Sequence, residues 1–259
     1  MKPLFPLALP LLLLSNLAWA LTADEIVDKA NLTSFYSGQD GRSQARMLIV
    51  DGQGRKQSRQ FTILRRTLEQ GGDQQMLVHF SRPSDVRGTV FRVEKHPQSL
   101  DDRWLYLPGL DLLKRISSGD KRTSFVGSHF FYEDVSGRSL KEDNFTLLEE
   151  TDSHYLIAAT PKHPAEVEFS RYQVWIDKQS WLPSIVRYFN DQDQAYRQVE
   201  TVKVETVDGY PTVVRSKVSD LKSGGYTLME LRGVQYNLGL PDTLFTEQSM
   251  RQVPNEFLK

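Results

Sequence analysis

The residues that could carry out catalysis are sparse in this sequence and lack the spacing of a known active site. Residues 118–121 are Ser-Gly-Asp-Lys, which matches the Ser-x-x-Lys spacing of penicillin-recognising nucleophiles. Their Gly-Asp pair favours a turn instead, and the companion motifs are missing. Ser128 precedes His129, but adjacent residues on a strand or a helix point in different directions. The sequence therefore favours a protein that is not an enzyme over a hydrolase with a spatially assembled site.

Candidate metal ligands are equally scattered. The chain has no cysteine, which excludes thiolate metal sites, disulfides and cysteine nucleophiles. Residues 190–193 are Asn-Asp-Gln-Asp, without the glycine and the later glutamate of a calcium loop, so we expect a hairpin tip there. The histidines show neither His-x-x-x-His nor His-x-Glu spacing, and the sequence predicts no metal and no cofactor. The five histidines are His79, His96, His129, His154 and His163.

Composition and charge exclude further classes of protein. The 32 Lys and Arg residues are balanced by 33 Asp and Glu residues, which gives a net charge of −1. A dedicated nucleic-acid-binding protein usually has a strong basic excess, so we expect no nucleic-acid partner. The content of hydrophobic residues, 39%, and of aromatic residues, 10%, is that of a folded protein and not of a disordered chain.

The first twenty residues have the three parts of a secretory signal peptide. Lys2 supplies a positive charge, residues 4–14 form an apolar run, and residues 18–20 are Ala-Trp-Ala, a small-x-small cleavage pattern. The apolar run is too short to span a bilayer as a helix. We therefore expect residues 1–20 to be cleaved and residues 21–259 to form a single domain. No cysteine follows the cleavage pattern, so we expect a soluble periplasmic protein without a lipid anchor.

The rest of the sequence predicts one helix followed by a long series of strands. Thr22 and Glu25 have the spacing of a capping box, and Ile26, Val27 and Ala30 share one face of the helix predicted from Thr22 onward. The hydrophobic period then changes to two, with Asp-Gly and Gly-Gly hairpin turns. Many hairpins with few helices favour one antiparallel sheet that curls into an unclosed half-barrel, covered by short helices. The predicted strands span residues 44–50, 58–68, 75–80, 90–93, 103–107, 114–117, 145–149, 155–160, 172–177, 184–189, 197–205, 212–221 and 226–236.

Three of these strands have faces of unusual character. Residues 103–107 carry bulky side chains on both faces, so one face can fill a core and the other requires a second apolar environment. Residues 197–205 and 212–221 alternate between polar and apolar side chains and are only half apolar. We expect these two strands near the C-terminus to be largely solvated.

The most distinctive feature is a concentration of aromatic residues between positions 104 and 132. Residues 125–132 contain four aromatic side chains beside a Gly-Ser pair, and an acidic pair follows. One interpretation is a short helix that plugs the open end of the sheet, with its aromatic side chains in the core. The other is a lid over an apolar cavity. For the second interpretation, six residues are predicted to border or cover a ligand: Trp104, Tyr106, Phe125, Phe130, Phe131 and Tyr132.

Three stretches carry a family resemblance. Residues 104–108 (Trp-Leu-Tyr-Leu-Pro), 114–116 (Lys-Arg-Ile) and 125–134 (Phe-x-Gly-Ser-x-Phe-x-Tyr-Glu-Asp) resemble the outer-membrane lipoprotein-sorting-like family, whose members are similar to the periplasmic lipoprotein carrier LolA. The resemblance implies an unclosed β-barrel whose concave apolar face is covered by helices and loops. It also implies a carrier that binds the acyl chains of lipids or lipoproteins and moves them between the envelope membranes.

The resemblance extends to partners. It implies an inner-membrane transporter of the resistance-nodulation-division (RND) type. We also expect transient membrane contact and a monomeric protein. The transfer of an acyl chain of ordinary length from an apolar environment into water costs a free energy of about 10 kcal/mol, so such a carrier needs an apolar cavity. The alternative is an envelope assembly or docking module without lipid cargo, which a completely filled core would favour.

Overall fold

The structure of the chain, a computed structural model, describes residues 20–258. The predicted signal peptide therefore lies, except for its last residue, outside the described residues. The described part is mainly β, as predicted, with few helices. The helices are α1 (Ala23–Phe35), α2 (Tyr132–Ser136) and α3 (Glu247–Arg251), and the strands are β1 (Asp40–Val50), β2 (Lys56–Thr67), β3 (Gln74–Arg82), β4 (Val90–Lys95), β5 (Asp102–Leu107), β6 (Leu112–Ile116), β7 (Asp143–Glu150), β8 (His154–Pro161), β9 (Arg171–Asp177), β10 (Pro183–Phe189), β11 (Ala195–Val207), β12 (Tyr210–Asp220) and β13 (Tyr226–Tyr236).

The strands form one antiparallel sheet in the order β6-β5-β4-β3-β2-β1-β13-β12-β11-β10-β9-β8-β7. Strands that follow each other in the chain are neighbours in the sheet, except for β6 and β7, which form its two edges. In addition, β1 pairs with β13. The pairing of β1 with β13 places the first and last strands in the middle of the sheet. The edge strands β6 and β7 do not pair with each other, so the sheet is not closed into a barrel. The predicted unclosed antiparallel sheet is confirmed.

Helix α1 begins where the sequence predicts it. The Thr22 hydroxyl accepts a hydrogen bond from the Glu25 amide (3.2 Å), and the Glu25 carboxylate accepts one from the Thr22 amide (2.8 Å). This reciprocal capping box satisfies amides that have no partner inside the helix. Ile26, Val27 and Ala30 are buried against β8, β9 and β10 on what we call the inner face of the sheet.

The opposite, outer face of β2–β5 is covered by the C-terminal segment, residues 238–258. Tyr106 packs against this segment in a cluster that includes Phe245, which is fully buried. Arg92 lies on the same face, where its guanidinium stacks 4.5 Å from the centre of the Trp104 ring and donates a hydrogen bond to the Phe245 carbonyl. The C-terminal segment is therefore the second apolar environment that residues 103–107 require.

A crossing segment, residues 117–142, runs between the two edge strands and contains α2. Its aromatic residues Phe125, Phe130 and Tyr132 are buried in the inner core. The segment is fixed to β13 because the His129 amide donates a hydrogen bond to the Thr227 hydroxyl (3.0 Å). The crossing segment thus contains a short helix with aromatic side chains in the core, which is the first of the two interpretations of residues 104–132.

Phe245→Ala tests whether the C-terminal segment stabilises the outer face. We expect this substitution to lower the free energy of unfolding by about 3–5 kcal/mol, because it leaves a cavity against β3 and β4. Urea unfolding followed by tryptophan fluorescence measures the change. The exposed Leu110 provides a control, and Leu110→Ala should change the stability by less than about 0.5 kcal/mol. Equal stability of Phe245→Ala and the wild type would contradict this role.

Candidate functional site

An apolar cavity of about 430 Å³ lies between α1 and the inner face of the sheet. This volume is within the range of small-molecule binding sites. The sheet wall consists of inward-facing side chains, because alternate residues on a strand point to the same face. The apolar side chains of this wall include Phe61, Ile63, Val174, Ile176, Val186, Val199, Val214, Met229 and Leu231.

Helix α1 forms the opposite wall through residues at helical spacing. Val27, Ala30, Asn31 and Ser34 occupy positions i, i+3, i+4 and i+7, so they lie on one face of the helix. The first two are apolar and the last two are polar. The cavity therefore has a mostly apolar sheet wall and a helix wall with mixed character.

The two ends of the cavity differ in exposure. Thr33, Pro183 and Pro211 line one end, which we call the mouth, and are half-buried. Phe130 and Tyr188 line the other end and are buried. The mouth lies between the second half of α1 and strands β10–β12, and the crossing segment lines the far end, which we call the closed end.

Ionic contacts at the closed end converge on Glu133 of α2. Its carboxylate is 2.6 Å from Arg122 Nη1, 3.0 Å from Arg138 Nη1 and 3.2 Å from Lys121 Nζ. Its side chain is only 2% exposed. Burial alone would raise the pKa of Glu133, but the neighbouring cations, Arg138 foremost, lower this pKa to about 2. Glu133 is therefore ionised in the folded protein, and we call these four residues the Glu133 cluster.

The Glu133 cluster connects the crossing segment to the far half of the sheet. Arg138 Nε is 2.7 Å from the carboxylate of Asp143 at the start of β7. The Tyr172 hydroxyl of β9 donates a hydrogen bond to the same carboxylate (2.8 Å), and Arg122 contacts Glu168 (2.7 Å). Arg122 and Arg138 of the crossing segment thus connect α2 to β7 and to Glu168, which lies just before β9.

A second ion pair fixes the start of α2. Asp134 accepts a hydrogen bond from the Phe131 amide (2.6 Å) and forms an ion pair with Arg197 of β11. The centre of the Phe131 ring is 4.2 Å from the Arg197 guanidinium and 5.2 Å from the Arg122 guanidinium. Two Arg197 nitrogens have no hydrogen-bond acceptor within residues 20–258. The face of the ring provides a favourable electrostatic environment for this cation.

Of the six residues that the sequence predicts around a ligand, Phe130 lines this cavity and the other five do not. Phe125 and Tyr132 pack behind the cavity in the inner core, with ring centres 5.5 Å apart. Phe131 lies close to two arginines, as described above. Trp104 and Tyr106 are on the outer face of β5, because their neighbour Leu105 takes the inward position on this strand. Whether any of the six contacts a ligand remains a prediction.

Two strands of the sheet wall were not expected there from the sequence. Residues of β11 and β12, which we expected to be largely solvated, contribute Val199, Thr201, Thr212, Val214 and Ser216 to the cavity. The sequence of β12 contains an indication of this wall, because every second residue from 212 to 218 is Thr, Val, Ser and Val, so one face of the strand carries only small side chains. Small side chains on that face leave open space in front of the sheet.

The residues considered for catalysis do not form a pair. The Ser128 hydroxyl donates a hydrogen bond to the Phe130 carbonyl (3.4 Å), whereas His129 Nδ1 is 2.9 Å from the Thr227 hydroxyl. Burial lowers the pKa of His129, which favours the neutral ring. The Ser128–His129 dyad that a hydrolase would use is therefore not assembled.

Two further features lie away from the cavity. Glu94, His96 and Asp102 come together on β4 and β5, but the two carboxylates form ion pairs with Arg92 and Arg115. A recess of about 560 Å³ near α1 is lined mainly by polar residues and lacks the apolar walls of the first cavity. No helix within residues 20–258 has both the length and the apolar character needed to cross a membrane.

Comparison with known proteins places the fold and the family. A family model described as "Uncharacterized protein" matches residues 72–252. A DUF1329 family protein from Desulfovibrio piger has 29% identity and a TM-score of 0.79, covering 88% of this chain and 97% of its own. An outer membrane lipoprotein-sorting protein domain from Vibrio parahaemolyticus has 24% identity and a TM-score of 0.79 over the same shares of the two chains.

A more distant structure has the same fold. A LolA superfamily protein from Nitrosomonas europaea has 17% identity and a TM-score of 0.68, covering 89% of this chain and 100% of its own. No curated protein sequence matches the chain. The LolA-like architecture that the resemblance implied is thereby confirmed.

Glu133→Gln tests the Glu133 cluster. Loss of this buried carboxylate leaves three cations without a shared partner, so we expect the free energy of unfolding to fall by about 3–5 kcal/mol. Urea unfolding provides the measurement. The matched control is Glu150→Gln, which removes a partly exposed ion pair with Lys178 and should cost less than about 1 kcal/mol. An equal effect of the two substitutions would contradict the central role of Glu133.

The stability of the protein should also depend on pH through Glu133. Its pKa in the folded protein is about 2, below the ordinary value of 4.5, so the unfolded chain binds more protons between these values. The stabilisation is therefore complete above about pH 4.5 and decreases as the pH falls toward 2. Urea unfolding between pH 6 and pH 2 should give a steeper loss for the wild type than for Glu133→Gln. Parallel pH profiles would show that another carboxylate dominates.

Proposed function

The chain belongs to the DUF1329 family, and we propose that it is a periplasmic carrier for the acyl chains of lipids or lipoproteins. The cavity between α1 and the sheet is the observation that carries this proposal. Its sheet wall is mostly apolar, as an inserted hydrocarbon chain requires, and we infer that such a chain enters at the mouth.

The energetics of transfer support an enclosed cavity. Each methylene that leaves an apolar environment for water costs about 0.8 kcal/mol, so an exposed acyl chain is strongly disfavoured in the aqueous space between two membranes. The side chains of Val174, Val199 and Val214 present hydrocarbon surface inside the cavity. An acyl chain that packs against them replaces the apolar contacts of the bilayer by those of the cavity. Its transfer therefore does not require exposure of the whole chain to water.

We propose the periplasm as the site of action and an RND-type transporter of the inner membrane as the partner. The signal-peptide pattern of residues 1–20 supports the location, and the family resemblance of residues 104–134 supports the partner. A carrier that binds acyl chains tightly releases them only if a partner favours a more open cavity. Residues 21–259 act in this proposal as a single domain, in transient contact with membranes and as a monomer.

Filling the cavity tests the proposed function directly. Val214→Trp places a large apolar side chain in the sheet wall and should lower the affinity for methyl cis-parinarate at least tenfold by occupying its space. The fluorescence of this polyene ester increases in apolar surroundings and reports binding to the purified mature protein.

The control for this experiment has the same substitution at an exposed position of a neighbouring strand. Val202 of β11 is 48% exposed, and Val202→Trp should bind the probe like the wild type. Circular dichroism confirms that both variants are folded. Absence of binding by the folded wild type, or unchanged binding by Val214→Trp, would refute a carrier function for this cavity.

A further inference from the structure

Most polar side chains of the cavity wall already have partners. The Thr33, Ser34, Thr201 and Thr212 hydroxyls each donate a hydrogen bond to a backbone carbonyl, at distances between 2.6 and 3.0 Å. The Tyr172 hydroxyl donates to Asp143. These groups belong to the fold and need no ligand.

Three polar side chains that line the cavity are different. Among the described residues, the Asn31 amide and the Ser216 and Tyr188 hydroxyls have no hydrogen-bond partner. Asn31 lies on α1, Ser216 on β12 and Tyr188 on β10, so they approach the cavity from separate elements. Helix α1 contacts β12, so Asn31 and Ser216 belong to elements that touch each other.

The unpartnered groups have apolar neighbours on the sheet. Ser216 is paired with Met229 of β13, and Val214 lies two residues nearer the mouth on the same face of β12. The register of β10 and β11 places Tyr188 beside Arg197, toward the closed end. A ligand that satisfies these groups must therefore carry a polar atom inside an otherwise hydrocarbon environment.

The charge of the cavity wall limits what that polar atom can be. The charged side chains of the wall are Glu133, Asp134 and Arg138, and all three form ion pairs. Arg138 contacts the carboxylates of Glu133, Glu142 and Asp143, so it is not available to neutralise another anion. Arg197 has two nitrogens without an acceptor and lies beside Tyr188, but it does not line the cavity. A free carboxylate in contact with the wall would therefore be desolvated near two carboxylates without a cation of its own.

We propose that the cavity selects uncharged acyl derivatives, with the carbonyl of an ester or amide linkage bound by Asn31 and Ser216. The Asn31 amide nitrogen and the Ser216 hydroxyl donate to this carbonyl, and the Asn31 oxygen accepts from an amide linkage when one is present. Tyr188 supplies a further donor toward the closed end. This inference rests on the proposed carrier function and deepens it, because it names esterified or amidated chains as cargo and excludes free fatty acids.

Selectivity follows from the cost of leaving polar groups without partners. A hydrocarbon that fills the cavity would separate Asn31 and Ser216 from water and provide no hydrogen bond in return. A site built to bind a polar atom rejects a ligand that lacks it. The two side chains thus determine specificity, while the valine-rich wall provides most of the affinity.

Displacement of a hydrocarbon fluorophore tests the proposal. Diphenylhexatriene is bound to the purified mature protein and displaced by methyl dodecanoate, N-methyldodecanamide, tetradecane or dodecanoate at pH 8. We expect the ester and the amide to bind about tenfold more tightly than the hydrocarbon, and at least tenfold more tightly than the free carboxylate.

Variants assign this preference to the two residues. Asn31→Leu and Ser216→Ala should each reduce the ratio of ester to hydrocarbon affinity by about two- to tenfold, with hydrocarbon binding preserved. The matched control is Ser219→Ala, since Ser219 lies three residues from Ser216 on the opposite face of β12 and does not line the cavity. This control should keep the preference of the wild type.

The outcomes separate this inference from the carrier function. If the wild type binds neither diphenylhexatriene nor methyl cis-parinarate, the carrier function itself is refuted. If it binds both but treats ester, hydrocarbon and carboxylate alike, the carrier function stands and the selectivity is refuted. Unchanged preference in the Asn31→Leu/Ser216→Ala double variant would likewise overturn the assignment of these residues.

Discussion

The contacts of the buried Glu133 carboxylate hold together a sheet whose two edges never meet. Without a bond between β6 and β7, the inner face would be open along its length. The crossing segment fills this gap, but a peptide that carries three cations into the interior needs an anion among them. Glu133 supplies it, and Arg138 continues the network to Asp143 of β7. The closed end of the cavity exists because this pairing compensates the desolvation of the cations.

The two halves of the sheet have different tasks. Strands β2–β5 are buried on both faces, by the crossing segment inside and by residues 238–258 outside. They form the rigid part, where adjacent large side chains such as Phe91 and Arg92 point to opposite, filled faces. Strands β11 and β12 have mostly small side chains on the inner face, and α1 does not fill the space in front of them. The cavity lies where the packing is incomplete, next to the part of the fold that is packed completely.

Much of the fold was predictable from local patterns. The strands follow from alternation and hairpin turns, and the start of α1 follows from the spacing of Thr22 and Glu25. The cavity was harder to locate, because a dense aromatic stretch fills space as readily as it lines a void. Phe125 and Tyr132 are core residues for this reason, and Trp104 is turned away from the cavity by strand alternation. The four residues of the Glu133 cluster all lie in the crossing segment, but they meet only through the way this segment folds, which no short sequence pattern contains.

The modest hydrophobic content of the chain, 39%, is consistent with this division of tasks. A filled core gains stability from each buried side chain, whereas an empty apolar cavity loses dispersion contacts that a ligand can restore. The valines, threonines and serines of β11 and β12 face the cavity and leave space there, although large side chains such as Phe61 and Tyr172 also line it. The open hydrogen-bonding groups of Asn31 and Ser216 follow the same principle. The wall is left short of both apolar contacts and hydrogen bonds, so a ligand that supplies both fits it better than one that supplies only hydrocarbon.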